Sequence, residues 1–399
     1  MKPSNLGKLM QTALCLSVLG SSSICRAETP PPLPTRVVCL GDSITDGDTY
    51  PQIVMQSLHE AGGPVPPFIC SGVGGDTTKM MDARFEKTVA RFKPDLITFN
   101  AGTNDAFQHV SAEDYEKSLR SIIAKAKAIG AKVLLLTPSE CLARNGKTEA
   151  DKEESYRSLQ AHIDSYEKVI RAVAAEESCL VAENRKLMKE SLAAGKVIFV
   201  EDNTHPNYLG QSLYARAILD ALGRSTTPLP ASFNPQPLPG LIKEWKLRHA
   251  PLDEKGHPVP LADSAVATLT PDETWTAWEL PDKEALAESP GIWMEQMRRH
   301  GAVLKTERAL GKGKLSQGVA VLNSADGGEA FIQTGMGLAT VWLNGVKVHD
   351  QMKQWTGAHV GKERIPVVLA KGKNTITVEF NDTFFLSVTP GLIWEDRIY

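Results

Sequence analysis

The stretch Gly41-Asp42-Ser43-Ile44-Thr45 follows directly after the apolar run Arg36 to Leu40. A serine between a short apolar strand and a polar turn lies at the edge of a sheet, where its hydroxyl can meet a small molecule. By itself, a Gly-Asp-Ser tripeptide is more often a turn than a catalytic site. The rest of the chain therefore has to decide between these two interpretations.

Short apolar runs alternate with helical segments from Arg36 to Gly223, which predicts a parallel sheet covered by helices on both faces. The strand candidates are Arg36 to Leu40, Pro67 to Cys70, Asp95 to Asn100, Lys132 to Thr137 and Cys179 to Ala182. The helix candidates are Pro51 to Ala61, Ser111 to Ile129, Thr148 to Glu177 and a last helix whose first turn would contain Pro206.

Residues 1–27 have the pattern of a cleaved signal peptide, with Lys2 and Lys8 before the apolar run Leu9 to Leu19 and small residues ending at Ala27. The run is shorter than the ~20 residues that a membrane-spanning helix needs, so no stable membrane span is expected after cleavage. An uncleaved anchor or a disordered tail is the alternative. We expect a secreted or periplasmic protein, with residues 28–35 as an N-terminal linker.

The composition changes after Gly223. Residues 225–240 contain five prolines and no acidic or basic side chain, which is typical of a linker. Alternation of period two follows in residues 241–399, and Asn344-Gly345 between two such runs predicts a hairpin, because both turn positions need a positive φ. We expect a smaller all-β sandwich domain in this part of the chain.

The overall composition excludes some classes of partner. The chain of 399 residues has 42% hydrophobic and 23% charged residues, as soluble globular proteins do, and its formal net charge is −3. No basic stripe is present, so we expect no nucleic-acid partner. No residue pattern indicates a metal or a cofactor, and we expect none. The oligomeric state stays open, as does the disulfide state of the cysteines that remain after the leader, Cys39, Cys70, Cys141 and Cys179.

Three further polar segments stand where predicted strands end or the last helix begins: Gly72-Val73-Gly74-Gly75, Gly102-Thr103-Asn104 and Asp202-Asn203-Thr204-His205. Glycine lets a backbone N–H approach an anion closely, and an asparagine amide is a neutral donor suited to a developing oxyanion. An aspartate three residues before a histidine can hold one ring nitrogen and leave the other for a serine hydroxyl. Each segment alone is equally well a turn, a helix cap or a surface contact.

Together with Gly41-Asp42-Ser43, these segments resemble the SGNH (GDSL) hydrolase superfamily over roughly Arg36 to Gly223, so we place that domain at residues 36–224. The resemblance implies a flavodoxin-like, three-layer α/β/α fold with a parallel sheet. It also implies roles: Ser43 as nucleophile, His205 as base and Asp202 as its orienting partner. The oxyanion hole would consist of the N–H groups of Ser43 and Gly75 and the Asn104 amide. Cys70 stands where many members of the superfamily have asparagine, so the local loop is expected to differ.

The C-terminal region resembles the galactose-binding-like β-sandwiches more weakly, through Val341 to Val346 and Gly372 to Ile376. Its seven tryptophans either stack on sugars or pack in the interior. These are Trp245, Trp275, Trp278, Trp293, Trp342, Trp355 and Trp394.

The resulting hypothesis is an exported serine esterase that hydrolyses acyl esters on carbohydrate, with acetyl as the favoured acyl group. One alternative is a lipid or thioester hydrolase, which would need a long apolar groove for the acyl chain. The other alternative is a non-catalytic glycan-binding surface protein.

Overall fold

The computed structural model of the chain describes residues 31–47, 49–231, 240–279, 304–305, 309–311, 313, 315–350 and 363–390. The predicted signal peptide lies outside these residues, as does half of the predicted linker 225–240, namely residues 232–239. The boundary between the two predicted domains therefore stays a prediction. Among the described residues, no helix has the length and apolar character needed to cross a membrane.

The first part of the chain forms a parallel sheet of five strands. The strands are β1 (Val37–Gly41), β2 (Phe68–Gly72), β3 (Leu96–Asn100), β4 (Lys132–Leu136) and β5 (Leu180–Ala182). Their order across the sheet is β2-β1-β3-β4-β5, which is the flavodoxin-like order. The predicted fold class is confirmed for this part of the chain.

Eight helices accompany this sheet within the described residues. They are α1 (Ser43–Asp46), α2 (Thr49–Glu60), α3 (Thr78–Thr88), α4 (Thr103–Phe107), α5 (Ala112–Ala128), α6 (Glu149–Glu177), α7 (Asn184–Ala193) and α8 (Tyr208–Ala221). The Ser111 hydroxyl accepts the Asp114 N–H at the start of α5. The last helix follows Pro206, as expected, but Pro206 itself lies before the first turn, because Asn207 caps α8 and Pro206 pairs with Phe199.

Apolar residues of the parallel sheet pack on both of its faces, because successive side chains of a strand point in opposite directions. In β1, Val38 and Leu40 belong to one apolar cluster, together with residues of α3, α5 and α6. Val37 and Cys39 belong to a second cluster, together with residues of α2 and α8. The result is the predicted arrangement of three layers, with the sheet between two layers of helices.

Within the described residues, the C-terminal part of the chain contains an antiparallel sheet of eight strands and the short helix α9 (Asp263–Val266). The strands are β6 (Glu244–His249), β7 (Thr276–Glu279), β8 (Leu304–Lys305), β9 (Ser316–Ser324), β10 (Gly328–Leu343), β11 (Val346–Asp350), β12 (Glu363–Leu369) and β13 (Gly372–Thr389). Asn344 and Gly345 have φ values of 52° and 81° in the turn between β10 and β11, which confirms the predicted hairpin.

Strands β10 and β13 are much longer than the sequence pattern indicates, at 16 and 18 residues. The first half of β10 pairs with β12, and its last residues pair with β11. Strand β13 pairs first with β9 and then with β8, and it follows β10 along most of its length. Register shifts near Met336 and Leu338 mark where β10 changes its partner, so one hydrogen-bonded network connects all eight strands.

Candidate active site

Ser43 is the first residue of α1, directly after β1 ends at Gly41. The Asp42 side chain caps this helix by accepting the Ile44 N–H at 3.0 Å. Asp42 is buried, and this burial raises the pKa of its carboxyl to about 7, with smaller contributions from the charges of Asp105 and Asp76. The start of α1 is thus held rigidly against the end of the strand, and it presents the Ser43 hydroxyl at the edge of the sheet.

The Ser43 hydroxyl is hydrogen-bonded to the imidazole of His205, although the two residues are 162 positions apart in the sequence. The His205 Nε2 lies 2.8 Å from Ser43 Oγ, and its Nδ1 lies 2.5 Å from Asp202 Oδ2. The other carboxylate oxygen of Asp202 accepts the backbone N–H groups of Thr204 at 2.8 Å and His205 at 2.9 Å. The structure therefore brings hydroxyl, imidazole and carboxylate into one hydrogen-bonded line.

The Asp202 carboxylate stays ionised despite its partial burial. Burial by itself would raise its pKa, but the hydrogen bonds from the His205 backbone, the His205 ring and the Thr204 N–H hold the pKa below its usual value. A carboxylate that remains charged at neutral pH can orient the ring and stabilise it when it gains a proton.

Two backbone hydrogen bonds and one side-chain contact hold the loop that contains Asp202 and His205. The Val200 N–H donates to the His205 carbonyl at 2.9 Å, and Asn203 adopts a positive φ of 56° between them. The Leu142 N–H, in the segment after β4, donates to the Asn203 carbonyl at 2.9 Å. The Cys141 thiol lies 3.6 Å from the Thr204 hydroxyl. The position of His205 therefore depends on the segment after β4 as well as on its own loop.

Two glycines shape the loop that follows β2. Gly75 has a φ of 84°, a conformation that strains any residue with a Cβ atom. A Cβ atom at Gly72 would lie 2.0 Å from the Asp46 backbone nitrogen, so only glycine lets this loop approach α1 so closely. This close approach brings Gly74 near Ser43, where a Cβ atom on Gly74 would lie 3.8 Å from the Ser43 Cβ.

Asn104 follows β3 in the short helix α4, and its side-chain Nδ2 donates to the Asp76 carbonyl at 3.0 Å. The predicted oxyanion donors Gly75 and Asn104 are therefore linked through Asp76. The neighbouring Asp105 carboxylate is buried and accepts the Thr78 N–H at 3.0 Å, and its burial raises its pKa to about 6. Three consecutive loops at this sheet edge are thus joined by hydrogen bonds.

Two arginines near the strand ends, one partly buried and one fully buried, are not indicated by the sequence. Arg84 lies in α3 and pairs with Asp76 at 2.5 Å. Arg185, in α7, is 1% exposed and pairs with Glu140 at 3.0 Å in the segment after β4. Neither has a signal in the sequence, because a buried arginine and a solvated one look the same there. The closest indication in the sequence is that Arg84 lies near the apolar residues Met81 and Phe85 of α3.

No disulfide joins the described cysteines, which are Cys39, Cys70, Cys141 and Cys179. The Cys70 thiol donates to the Thr45 carbonyl at 3.1 Å. The side chain at this position therefore contacts the Ser43–Asp46 helix from the neighbouring strand. Among the described residues, no group of three or more His, Cys, Asp or Glu side chains is arranged to hold a metal ion.

The described tryptophans of the C-terminal region are mostly buried. Trp245, Trp275 and Trp342 are 3%, 4% and 1% exposed, and the Trp342 indole N–H donates to Asp263 at 2.9 Å. Trp293, Trp355 and Trp394 lie outside the described residues. For the three buried rings the structure favours interior packing over sugar stacking.

The model of the GDSL-like lipase/acylhydrolase family matches residues 39–213 of the chain. The chain is similar to an acetylxylan esterase of Geobacillus stearothermophilus, with 26% identity over 218 residues, which covers 47% of this chain and 94% of the relative. It is also similar to the esterase TesA of Pseudomonas aeruginosa, with 36% identity over 66 residues, covering 16% of this chain and 33% of the relative.

The chain is also similar, over part of its length, to solved structures. One is LAE5, an α/β hydrolase enzyme from the metagenome of Lake Arreo, with 25% identity and a TM-score of 0.41, covering 48% of this chain and 96% of that one. Another is the acetylxylan esterase Axe2 of Geobacillus stearothermophilus, with 24% identity and a TM-score of 0.40, covering 47% and 94%.

Proposed function

From the premise that residues 39–213 form a GDSL-like (SGNH) hydrolase domain, which makes the chain a carboxylic ester hydrolase, we propose that it is an exported serine esterase acting on acylated carbohydrate. The observation that carries the proposal is the hydrogen-bonded line from Ser43 through His205 to Asp202, at 2.8 Å and 2.5 Å.

In the proposed reaction, His205 takes the Ser43 hydroxyl proton on Nε2 while Oγ attacks the acyl carbon. The tetrahedral oxyanion is stabilised by the N–H groups of Ser43 and Gly75 and by the Asn104 amide. The protonated His205 then gives its proton to the departing alcohol, which leaves an acyl-serine. Water, losing a proton to His205, attacks this ester and releases the acid, and Ser43 regains its proton.

The orientation of His205 supports its role as the base. Because Asp202 accepts both the ring at Nδ1 and the His205 backbone N–H, it favours the tautomer with the proton on Nδ1. In that tautomer Nε2 has a lone pair directed at the Ser43 hydroxyl.

The proposed substrate is an acetyl ester on a polysaccharide. The similarity to an acetylxylan esterase, over 94% of that relative, supports a short acyl group and a sugar alcohol. Export is supported by the signal-peptide pattern of residues 1–27. Secretion would bring the enzyme to polysaccharides outside the cytoplasm.

The proposal is tested by comparing the wild-type protein with Ser43→Ala on a panel of acetylated glycans and on p-nitrophenyl esters of increasing acyl length. We expect acetate release that depends on Ser43, and a preference for C2 esters. A preference for C8 or longer esters would instead support the lipid or thioester hydrolase. Absence of both ester cleavage and fluorophosphonate labelling at Ser43 would support the glycan-binding alternative.

A further inference from the structure

Arg84 of α3 has an acceptor for each of its five N–H donors, although its side chain is only 15% exposed. Its Nε donates to Asp76 Oδ2 at 2.5 Å. Its Nη1 donates to the hydroxyls of Ser71 and Thr88, both at 2.8 Å. Its Nη2 donates to the backbone carbonyls of Gly41 and Ser71, both at 2.9 Å. One guanidinium therefore connects β1, β2, α3 and the loop between β2 and α3.

The Gly41 carbonyl is the last of β1 and lies two residues before Ser43. It also accepts the Val73 N–H at 3.0 Å, so the end of β1 is joined both to Arg84 and to the loop after β2. Arg84 thereby restrains the turn from which the Ser43 N–H projects. The same contact sets the distance between that turn and the glycine loop.

Asp76 connects Arg84 to the other two oxyanion donors. It directly follows Gly75, and its N–H donates to the Val73 carbonyl at 3.2 Å, which closes the turn that contains Gly75. Its carbonyl accepts one N–H of the Asn104 amide at 3.0 Å. An amide group has two N–H donors, so this contact orients the second one.

We propose that Arg84 is a positioning residue that holds the oxyanion donors of Ser43, Gly75 and Asn104 in one arrangement, acting through Asp76 and the Gly41 carbonyl. The inference rests on the proposed function. Donors that are in place before the reaction stabilise an oxyanion most effectively, because nothing has to reorganise when the charge develops. A loop with three glycines in residues 72–75 does not hold such an arrangement by its own backbone preferences.

Arginine is required here for geometric reasons. A lysine would keep the ion pair with Asp76, but its three donors diverge from one nitrogen and cannot serve four residues at once. Arg84→Lys therefore keeps the positive charge but removes the planar set of five N–H donors, so it tests the two contributions separately. Arg84→Met removes both while keeping most of the apolar stem.

The test measures kcat and KM on p-nitrophenyl acetate for Arg84→Met and Arg84→Lys, each in the wild-type and the Asn104→Ala background. We expect Arg84→Met to lower kcat by about 10²-fold, the loss typical of a donor misplaced by about 1 Å. The change in KM is expected to stay below about threefold, since the contact is made in the transition state. Arg84→Lys is expected to lose at least about 10-fold in kcat for the same reason.

The double variants distinguish positioning from general stabilisation. If Arg84 acts through Asn104 and its neighbours, the two losses are not additive, and Arg84→Met costs at least about 10-fold less in the Asn104→Ala background. A residue that only stabilises the fold would cost the same factor in both backgrounds, and that result overturns the inference. If Arg84→Met does not fold, the same comparison with Arg84→Lys decides, and a kcat within about twofold of wild type would also overturn it.

Two controls complete the experiment. Arg120→Met removes an arginine that pairs with Glu116 and Glu176 on the helical surface, and we expect its kcat to equal the wild-type value. Ser43→Ala tests the proposed function separately. If Ser43→Ala remains active, the proposed function fails. If Ser43→Ala is inactive while Arg84→Met has wild-type kcat, only the positioning role of Arg84 fails.

Discussion

The carboxyl edge of the parallel sheet and the interior of the C-terminal region bury very different side chains. At the sheet edge, buried ionisable groups cluster after the strands. They are Asp42, Asp46, Asp76, Asp105, Glu140 and Arg185, each at most 4% exposed. Among the described residues of the C-terminal region, Glu379 is the one buried acid or base, at 2% exposure.

This difference indicates that the sheet edge is the part of the molecule where ionisable groups are buried at a cost in folding stability. Burying a charge costs free energy unless partners compensate it, so such groups persist where they do something that apolar residues cannot. In the C-terminal region, rings such as Trp245, Phe380 and Phe384 pack together instead. The comparison predicts that variants at the sheet edge change activity or pH dependence, whereas variants of the C-terminal interior change stability alone.

The largest expected effect is that of Ser43→Ala. Loss of the proposed nucleophile should lower kcat by about 10⁶-fold, as in other serine hydrolases, because in the proposed reaction Ser43 supplies the attacking oxygen. Hydrolysis of p-nitrophenyl acetate measures the loss, and an unchanged circular dichroism spectrum shows that the fold persists. Residual activity within about 10²-fold of wild type would remove Ser43 from the reaction.

Arg185→Met should cause the largest loss of stability. It removes the close cation of buried Glu140, which keeps only the more distant Lys189 at 3.9 Å as a cationic partner, and it also removes the ion pairs of Arg185 with Asp164 and Glu167. Such a change costs about 3–5 kcal/mol of the free energy of unfolding. Denaturant unfolding measures this loss. Arg171→Met, at an arginine that is 46% exposed and pairs with Glu183, is the matched control and should cost about 1 kcal/mol or less. Equal losses in the two variants would show that burial of an ion pair does not determine its contribution to the free energy of unfolding.

Asn104→Ala should lower kcat by about 10²–10³-fold while the protein folds normally, because the variant removes one of the proposed oxyanion donors. Steady-state kinetics on p-nitrophenyl acetate measure the change. Asn145→Ala removes an exposed amide from the segment after β4 and should leave kcat unchanged. If Asn104→Ala has wild-type kcat, Asn104 is not part of the oxyanion hole.

Asp42→Asn should change how stability depends on pH. Between about pH 4 and pH 7 the folded protein keeps the Asp42 proton that the unfolded chain has lost, so this group makes stability fall as the pH rises. Asparagine removes that contribution and can still accept the Ile44 N–H. Melting temperatures from pH 4 to 8 should therefore fall less steeply in the variant. Asp105, with a pKa of about 6, contributes in the same direction, so part of the slope remains.

Glu379→Gln should have the smallest effect. Burial raises the pKa of this carboxyl, and its Oε1 accepts the Leu261 N–H at 2.6 Å and the Gln317 amide at 3.0 Å. A glutamine oxygen can accept both hydrogen bonds, so we expect a change of about 1 kcal/mol or less in unfolding free energy and no change in kcat. A loss of kcat would show that this region takes part in the reaction.

The sequence predicts the parallel sheet and the groups of the site for one reason: both depend on local patterns. Each strand is a short apolar run, and Ser43, Asn104 and Asp202-x-x-His205 directly follow or precede such elements. The extent of β10 and β13 could not be predicted, because glycines at 335 and 337 and Asn381 interrupt the alternation. The role of Arg84 could not be predicted either, since its five acceptor atoms lie up to 43 residues from it in the sequence.

Strands β10 and β13 have a mechanical consequence for the C-terminal region. Because β10 pairs with β12, β11 and β13, and β13 pairs with β9, β8 and β10, opening either long strand disturbs the hydrogen bonds of several partner strands at once. Such coupling favours a single cooperative melting step for this region over separate loss of its edge strands. A protease would therefore find few partly opened forms of this region to cut.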